Sequence, residues 1–376
     1  MKSLLGIRRA RLARGGVELR YDERAGYLRS LLDALDIPVE SQMLVYSKTS
    51  LQSGLIGPRN PRAIYFTDSV FVAWVHGGFI EIAAHDPRQG AHFYVLQQLA
   101  VTAPSFDSDR RCLTCHYSNT ALGVPGFLVR SVPTATDGNI LPWLGNDVPN
   151  HATPLEQRWG GWYVTGRAGA PHLGNVALED ARAPELPRTA TPVFSDLTTK
   201  FDTSAYLTPY SNVAALLVFN HQVRMLNILT RLGWEARIAE AAGRPASQLA
   251  TTVKEAVDYM LFVDEAPIRD VESQSGFVER FAARGPKDTR GRSLRELDLR
   301  TRLLRYPCSY LIYTETFDAL APSVKSQVYR RLWDVLSGAE RDSRYARLTA
   351  VDRRAIVEIL SGTKTGLPDY FRPPSR

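Results

Sequence analysis

The sequence predicts an α+β fold, and three observations predict it. A stretch near the N-terminus alternates β-branched and aromatic residues with turn residues, the middle is dense in glycine and proline, and the last half runs in helical periods. The expected layout is a small N-terminal antiparallel sheet region, a loop-rich segment and a mainly α-helical C-terminal region. Its boundaries fall at 1–105 for an N-terminal α+β region, 106–176 for the loop-rich segment, 177–205 for a linker and 206–376 for the helical region packing on that segment.

The first element is a short helix over 25–36, because Tyr27, Leu28, Leu31, Leu32 and Leu35 share one helical face before Pro38 stops the pattern. A meander of about four strands follows, over 63–66, 70–75, 79–83 and 92–96. Its separators are turn chemistry: Thr67-Asp68-Ser69, His76-Gly77-Gly78 and Asp86-Pro87-Arg88-Gln89-Gly90. Between 123 and 175 nine glycines and six prolines leave little regular structure, yet Trp143, Trp159, Trp162 and Tyr163 lie there, so this loop is expected to pack on something. Prolines at 184, 187 and 192 mark an exposed linker. Helices are expected over 211–242, 247–263, 293–304, 323–336 and 350–360, the third and fifth led by the capping patterns Ser293-Leu294-Arg295-Glu296 and Thr349-Ala350-Val351-Asp352.

Composition narrows the function classes. The chain has 376 residues, 44% of them hydrophobic, and no uninterrupted apolar run approaches the length of about 20 that spans a bilayer, so no transmembrane segment is expected. Three cysteines exclude a disulfide-stapled scaffold. Basic residues outnumber acidic ones by 46 to 39, and the basic ones are almost all arginine. The arginines are spread along the chain with no recognition-helix pattern, so nucleic acid is not an expected partner and an acidic protein is. The cluster Arg8, Arg9, Arg11 and Arg14 has the charge of an export signal, but the polar Glu18-Leu19-Arg20-Tyr21 follows instead of an apolar core, so the chain as written carries no working signal peptide.

One motif carries chemistry. Cys112-Leu113-Thr114-Cys115-His116 is the Cys-x-x-Cys-His pentapeptide of c-type haem attachment, in which both thiols add to haem vinyl groups and the histidine ligates the iron. With three cysteines and seven histidines, chance places this pattern somewhere in the chain roughly once in two thousand sequences. A thioredoxin-like redox pair would need a βαβ context, which the polar 105–111 stretch does not supply. A structural zinc site would need four ligands, and Cys308 is the one thiol left, better read as a buried small apolar residue.

The pentapeptide resembles that of bacterial c-type cytochromes, and more of the chain is similar to a group of exported bacterial single-haem c-type proteins to which no agreed activity attaches. The likeness rests on Tyr46-Ser47-Lys48-Thr49-Ser50-Leu51-Gln52, Asn60-Pro61-Arg62-Ala63-Ile64-Tyr65-Phe66, Arg158-Trp159-Gly160-Gly161-Trp162-Tyr163-Val164-Thr165-Gly166 and Tyr306-Pro307-Cys308-Ser309-Tyr310-Leu311-Ile312-Tyr313. It implies one covalent haem c, a loop-rich segment of cytochrome c type over 106–176, and a periplasmic location. The missing signal then implies residues upstream of Met1 in the natural gene.

His116 is the expected proximal ligand, and the sixth iron position separates a carrier from an enzyme. In small c-type cytochromes, to which the motif is similar, the distal ligand arrives on a later Gly/Pro-rich loop. His172, 56 residues after His116, has that placement and is the first candidate. His221 is the second, since it falls with Leu217, Met225, Ile228 and Leu232 on an apolar helical face, where a core histidine is the bland alternative. His151, Met225 and Met260 rank below them, and His76, His85 and His92 read as surface or sheet residues. Trp159, Trp162 and Tyr163 are expected to contact the porphyrin, with a separate hydrophobic cluster as the alternative.

Electron transfer through a single six-coordinate haem to an acidic redox partner is the first functional expectation. A haem enzyme of peroxidase or oxygenase type with an open distal site is the alternative, and a haem sensor or structural haem module the third. The lone motif weighs against a two-haem peroxidase.

Overall fold

The computed structural model describes residues 18–186 and 191–371. The basic cluster at Arg8 to Arg14 and residues 187–190 of the expected linker lie outside them. Six strands form one antiparallel sheet in chain order: β1 (Met43–Val45), β2 (Arg62–Phe66), β3 (Val70–Trp74), β4 (Ile80–Asp86), β5 (Gly90–Leu96) and β6 (Phe106–Ser108). Strands β2 to β5 are those the alternation predicts; β1 and β6 add three residues at each edge. A parallel pair, β7 (Thr134–Ala135) and β8 (Ala177–Leu178), sits apart. Eight α-helices complete the described residues: α1 (Leu28–Leu35), α2 (Leu113–His116), α3 (Val213–Ala241), α4 (Ala250–Met260), α5 (Phe277–Ala283), α6 (Glu315–Asp318), α7 (Pro322–Ser337) and α8 (Ala350–Thr363). The fold is α+β.

Period two sorts the sheet's side chains into two cores. Along β2, Ala63 and Tyr65 enter one while Ile64 and Phe66 enter the other. The first core is closed by α1, whose Leu28, Leu31, Leu32 and Leu35 are all buried, as the helical spacing predicts. Each such leucine contributes about 1.5–3 kcal/mol of burial before the entropy of ordering is subtracted. Leu197 and Phe201 join this core from the expected linker, whose residues 179–182 are exposed, and Tyr206 joins it from just beyond.

The second core lies between the sheet and α3. This helix opens on Asn212, whose side chain accepts the Ala215 N–H at 3.0 Å, and its first two-thirds are buried on nearly every side. By length and composition it is apolar enough to span a bilayer, although Asn220, His221, Gln222 and Asn227 break it into shorter uninterrupted apolar runs. Within the fold that apolar window is 94% buried, and those polar residues have protein partners. Gln222 donates to the Thr67 carbonyl at 2.7 Å and accepts from the Tyr310 hydroxyl at 2.7 Å. His85 on β4 is buried too, bonded to Thr230 of α3 at 2.8 Å and Thr316 of α6 at 2.9 Å, so it ties sheet to helices.

Helices α4, α7 and α8 match three of the expected segments, and Thr349 with Asp352 forms a reciprocal capping box at the start of α8. The helix expected over 293–304 does not form. Ser293 donates its N–H to Glu296 at 2.9 Å as a capping box would, but the chain then folds back on itself with a bridge between Leu297 and Leu304. The Asp298 carboxylate accepts the N–H groups of Thr301 and Arg302, and Leu299 takes a left-handed φ of 60°. Those local bonds offer the backbone a turn in place of a helix, while Leu294, Leu299, Leu303 and Leu304 are buried all the same.

Candidate functional site

The Cys-x-x-Cys-His residues follow directly from edge strand β6. Asp109 caps the turn, accepting the Arg111 N–H at 2.9 Å, and its carboxylate is gripped by the Arg111 guanidinium through Nε at 3.0 Å and a terminal nitrogen at 2.6 Å. The chain then winds through a short 3-10 turn into α2, so Cys112 and Cys115 fall about one turn apart. Cys115 is exposed, Cys112 half-buried, and both thiols are free.

His116 is held more firmly than its neighbours. Its Nδ1 lies 2.9 Å from the Gly126 carbonyl, so that nitrogen carries the proton and Nε2 is left as the coordinating atom. The Gly126 N–H returns a bond to the His116 carbonyl at 2.9 Å. The 126–127 segment is in turn fixed from both sides. Gly90, in a left-handed turn with φ of 92°, passes so near Pro125 that a Cβ there would meet its carbonyl at 2.2 Å. Asn227 of α3 accepts the Phe127 N–H at 2.9 Å and donates to its carbonyl at 2.8 Å. A Cβ on Gly126 would lie 2.4 Å from the Asn227 amide oxygen, so glycine is required at that close approach.

These residues open on a cleft of about 320 Å³, within the range of small-molecule sites. Its floor is the α3-facing side of the sheet, with Ile64, Phe71, Ala73 and Phe93, and its far wall is Phe127, Trp162 and Phe219. The His116 and Phe93 rings lie 4.6 Å apart. Trp162 is anchored by its indole N–H on the Arg130 carbonyl at 2.7 Å and bridges to Val45 of β1. Four charged residues also line the cleft: Arg62, Glu81, Arg111 and Arg130. Burial lowers the His116 pKa, keeping its ring neutral and able to coordinate, and pushes the Cys112 thiol up to about 11, aided by Asp109 and Glu81.

No family model, curated protein or solved structure matches this chain.

The cleft thus brings together Cys112, Cys115, His116 and Trp162, and leaves four other sequence candidates elsewhere. Trp159 is fully buried, its indole N–H on Asn220 at 3.0 Å and its ring edge against His172 at 5.1 Å. Tyr163 packs on Tyr46 and Phe201 in the α1-side core and donates to the Pro58 carbonyl at 2.8 Å. His172 is buried with its Nδ1 unbonded, and burial lowers its pKa to about 4. His221 has both ring nitrogens engaged, Nδ1 with His151 and Nε2 with Ser309, each at 2.8 Å, and is stacked on Tyr259 and Phe262. Met225 and Met260 are fully buried core residues, and Trp143 lies on the surface. Cys308 is completely buried away from the cleft, and no three of His, Cys, Asp and Glu converge as a metal-holding group among the described residues.

Arg62, Glu81, Gly126 and Asn227 were missed by sequence reasoning. The one available signal was a charge inside an apolar strand pattern, Arg62 ahead of Ala63-Ile64-Tyr65-Phe66 and Glu81 between Ile80 and Ile82.

Proposed function

We propose that this chain is a periplasmic single-haem c-type protein of oxidoreductase character, with haem held by Cys112 and Cys115 and ligated by His116. The observation that carries the reading is the meeting of both thiols and a pinned, neutral imidazole at one apolar cleft. The residues suit that group: aromatic walls for a flat apolar body, free thiols at the mouth and a histidine whose tautomer leaves Nε2 available. Cys112 and Cys115 would hold the group by thioether bonds, each thiol adding its sulfur and its hydrogen across one vinyl group with nothing leaving. Bound there, haem would supply reversible one-electron iron chemistry. Trp162 and Phe93 would limit water on that surface, and Arg110 and Arg111, exposed beside Cys112, would face an acidic partner.

Between carrier and enzyme the cleft favours a ligand-accessible iron. Its lining residues include no methionine and no histidine other than His116, and the candidates His172 and His221 lie outside it. Electron transfer, the first expectation from the sequence, becomes the second reading, supported by the exposed position of Cys115 at the cleft mouth.

The test is expression with a c-type maturation system, followed by haem staining after denaturing electrophoresis. Covalent stain is expected on the native chain and none on the double variant Cys112→Ala/Cys115→Ala. An unstained native chain would overturn the proposal.

A further inference from the structure

The floor of the cleft is apolar except at one place. Arg62 of β2 and Glu81 of β4 stand on the same sheet face as Ile64, Phe71 and Phe93, and pair with each other across β3, where Ala73 is small enough to let them meet. Both side chains are mostly buried, at 21% and 16% exposure. Glu81 is committed: one carboxylate oxygen takes Arg62 and the other accepts from Gln52 at 3.3 Å, which is itself clamped to both backbone groups of Phe79. Arg62 is not. One terminal nitrogen goes to Glu81, Nε is buried without a partner, and the other terminal nitrogen meets no acceptor among the described residues.

A buried ion pair is a poor stabiliser, because desolvation offsets its attraction, and apolar residues would complete this floor at least as well. A fixed, partly unsatisfied guanidinium in a cleft is instead suited to binding an anion. The surroundings agree in sign. Three of the four charged lining residues are arginines, and the single carboxylate among them is already paired. Arg62 and Glu81 line the same cleft as His116.

We infer that Arg62, held in place by Glu81, binds a small monovalent anion of the size of azide or nitrite, taken into the cleft as the exogenous partner of the haem iron. This rests on the haem reading above.

The test uses the full matured chain and azide as probe, followed by the Soret band of the ferric protein, with carbon monoxide on the ferrous protein as the uncharged control. Arg62→Gln is expected to weaken azide by about tenfold or more. Arg62→Lys keeps the cation beside Glu81 but loses the guanidinium fork, and is expected to weaken it by several-fold, with carbon monoxide affinity unchanged in both. Azide affinity equal to the native value in both variants, or no azide binding by the native chain, would overturn the inference while leaving covalent haem intact. Loss of haem from both variants would overturn it too, by assigning Arg62 to holding the group itself, for instance through a propionate. A native chain without haem fails earlier, at the stained gel, and takes both proposals with it.

Discussion

Asn227 grips the backbone of Phe127 from both sides, its amide oxygen accepting the N–H at 2.9 Å and its amide nitrogen donating to the carbonyl at 2.8 Å. Because the adjoining Gly126 carbonyl receives the His116 Nδ1–H, a side chain on the buried central helix sets the angle of the imidazole 111 positions earlier in the sequence.

Asn227→Ala should therefore leave two buried backbone groups unpaired, at about 1–3 kcal/mol each. Gly126→Ala should do comparable harm through the contact a Cβ would make with Asn227. Matured protein is expected to keep its thioether bonds in both variants but to show a weakened iron–histidine bond, read as a shifted Fe–His stretch in the ferrous Raman spectrum. An unshifted stretch in a folded Asn227→Ala protein would refute the positioning role.

His172→Ala and His221→Ala separate ligands from core residues. Both histidines lie outside the cleft, so neither change should move the absorption maxima of the matured protein. His221→Ala should nonetheless lower stability by a few kcal/mol, since His151 and Ser309 lose their partner. A conversion from low spin to high spin in either variant would restore that histidine as an axial ligand.

Acid should destabilise the protein through its buried neutral histidines. Burial lowers the His85 pKa from 6.5 to about 4, so between those values the unfolded chain binds a proton that the native chain does not. The stabilisation is complete above about pH 6.5 and declines as pH falls toward 4, by about 3 kcal/mol for this group alone. His172, lowered to about 4, acts in the same direction. Denaturant midpoints measured at pH 7, 5.5 and 4.5 should fall in that order, and less steeply in His85→Gln.

Thr349→Ala removes the hydroxyl that accepts the Asp352 N–H in the capping box on α8 and should cost about 1 kcal/mol, seen as a lower thermal midpoint. Thr349→Ser keeps the hydroxyl and should restore most of it.

Much of the fold was legible because long patterns carry it. Strands β2 to β5 repeat at period two between recognisable turns, and the leucines of α1 repeat at helical spacing. Strands β1 and β6 escaped because three residues hold no period, and only their pairing partners define them. The 293–304 segment misled because leucines bound for the core sit at helix-like intervals in a hairpin, and the Asp298 turn wins locally. At the site, Cys112, Cys115 and His116 are adjacent in sequence and so visible there. The residues that line and brace their cleft come from β1 to β5, the 126–130 and 162 segments and α3, a convergence that no local spacing encodes.

The short edge strands have a further effect. The outer side of β1 is taken up by the Gly161 to Tyr163 backbone, which bonds Leu44 and Tyr46, and β6 offers only Phe106, Asp107 and Ser108, with the last two exposed and one of them charged. A sheet whose rims are so brief and so blunted gives a neighbouring chain almost nothing to zip onto. The six-stranded layer is thereby guarded against runaway self-templating, and the thiols that follow β6 are displayed beside a border ill-suited to fibril growth.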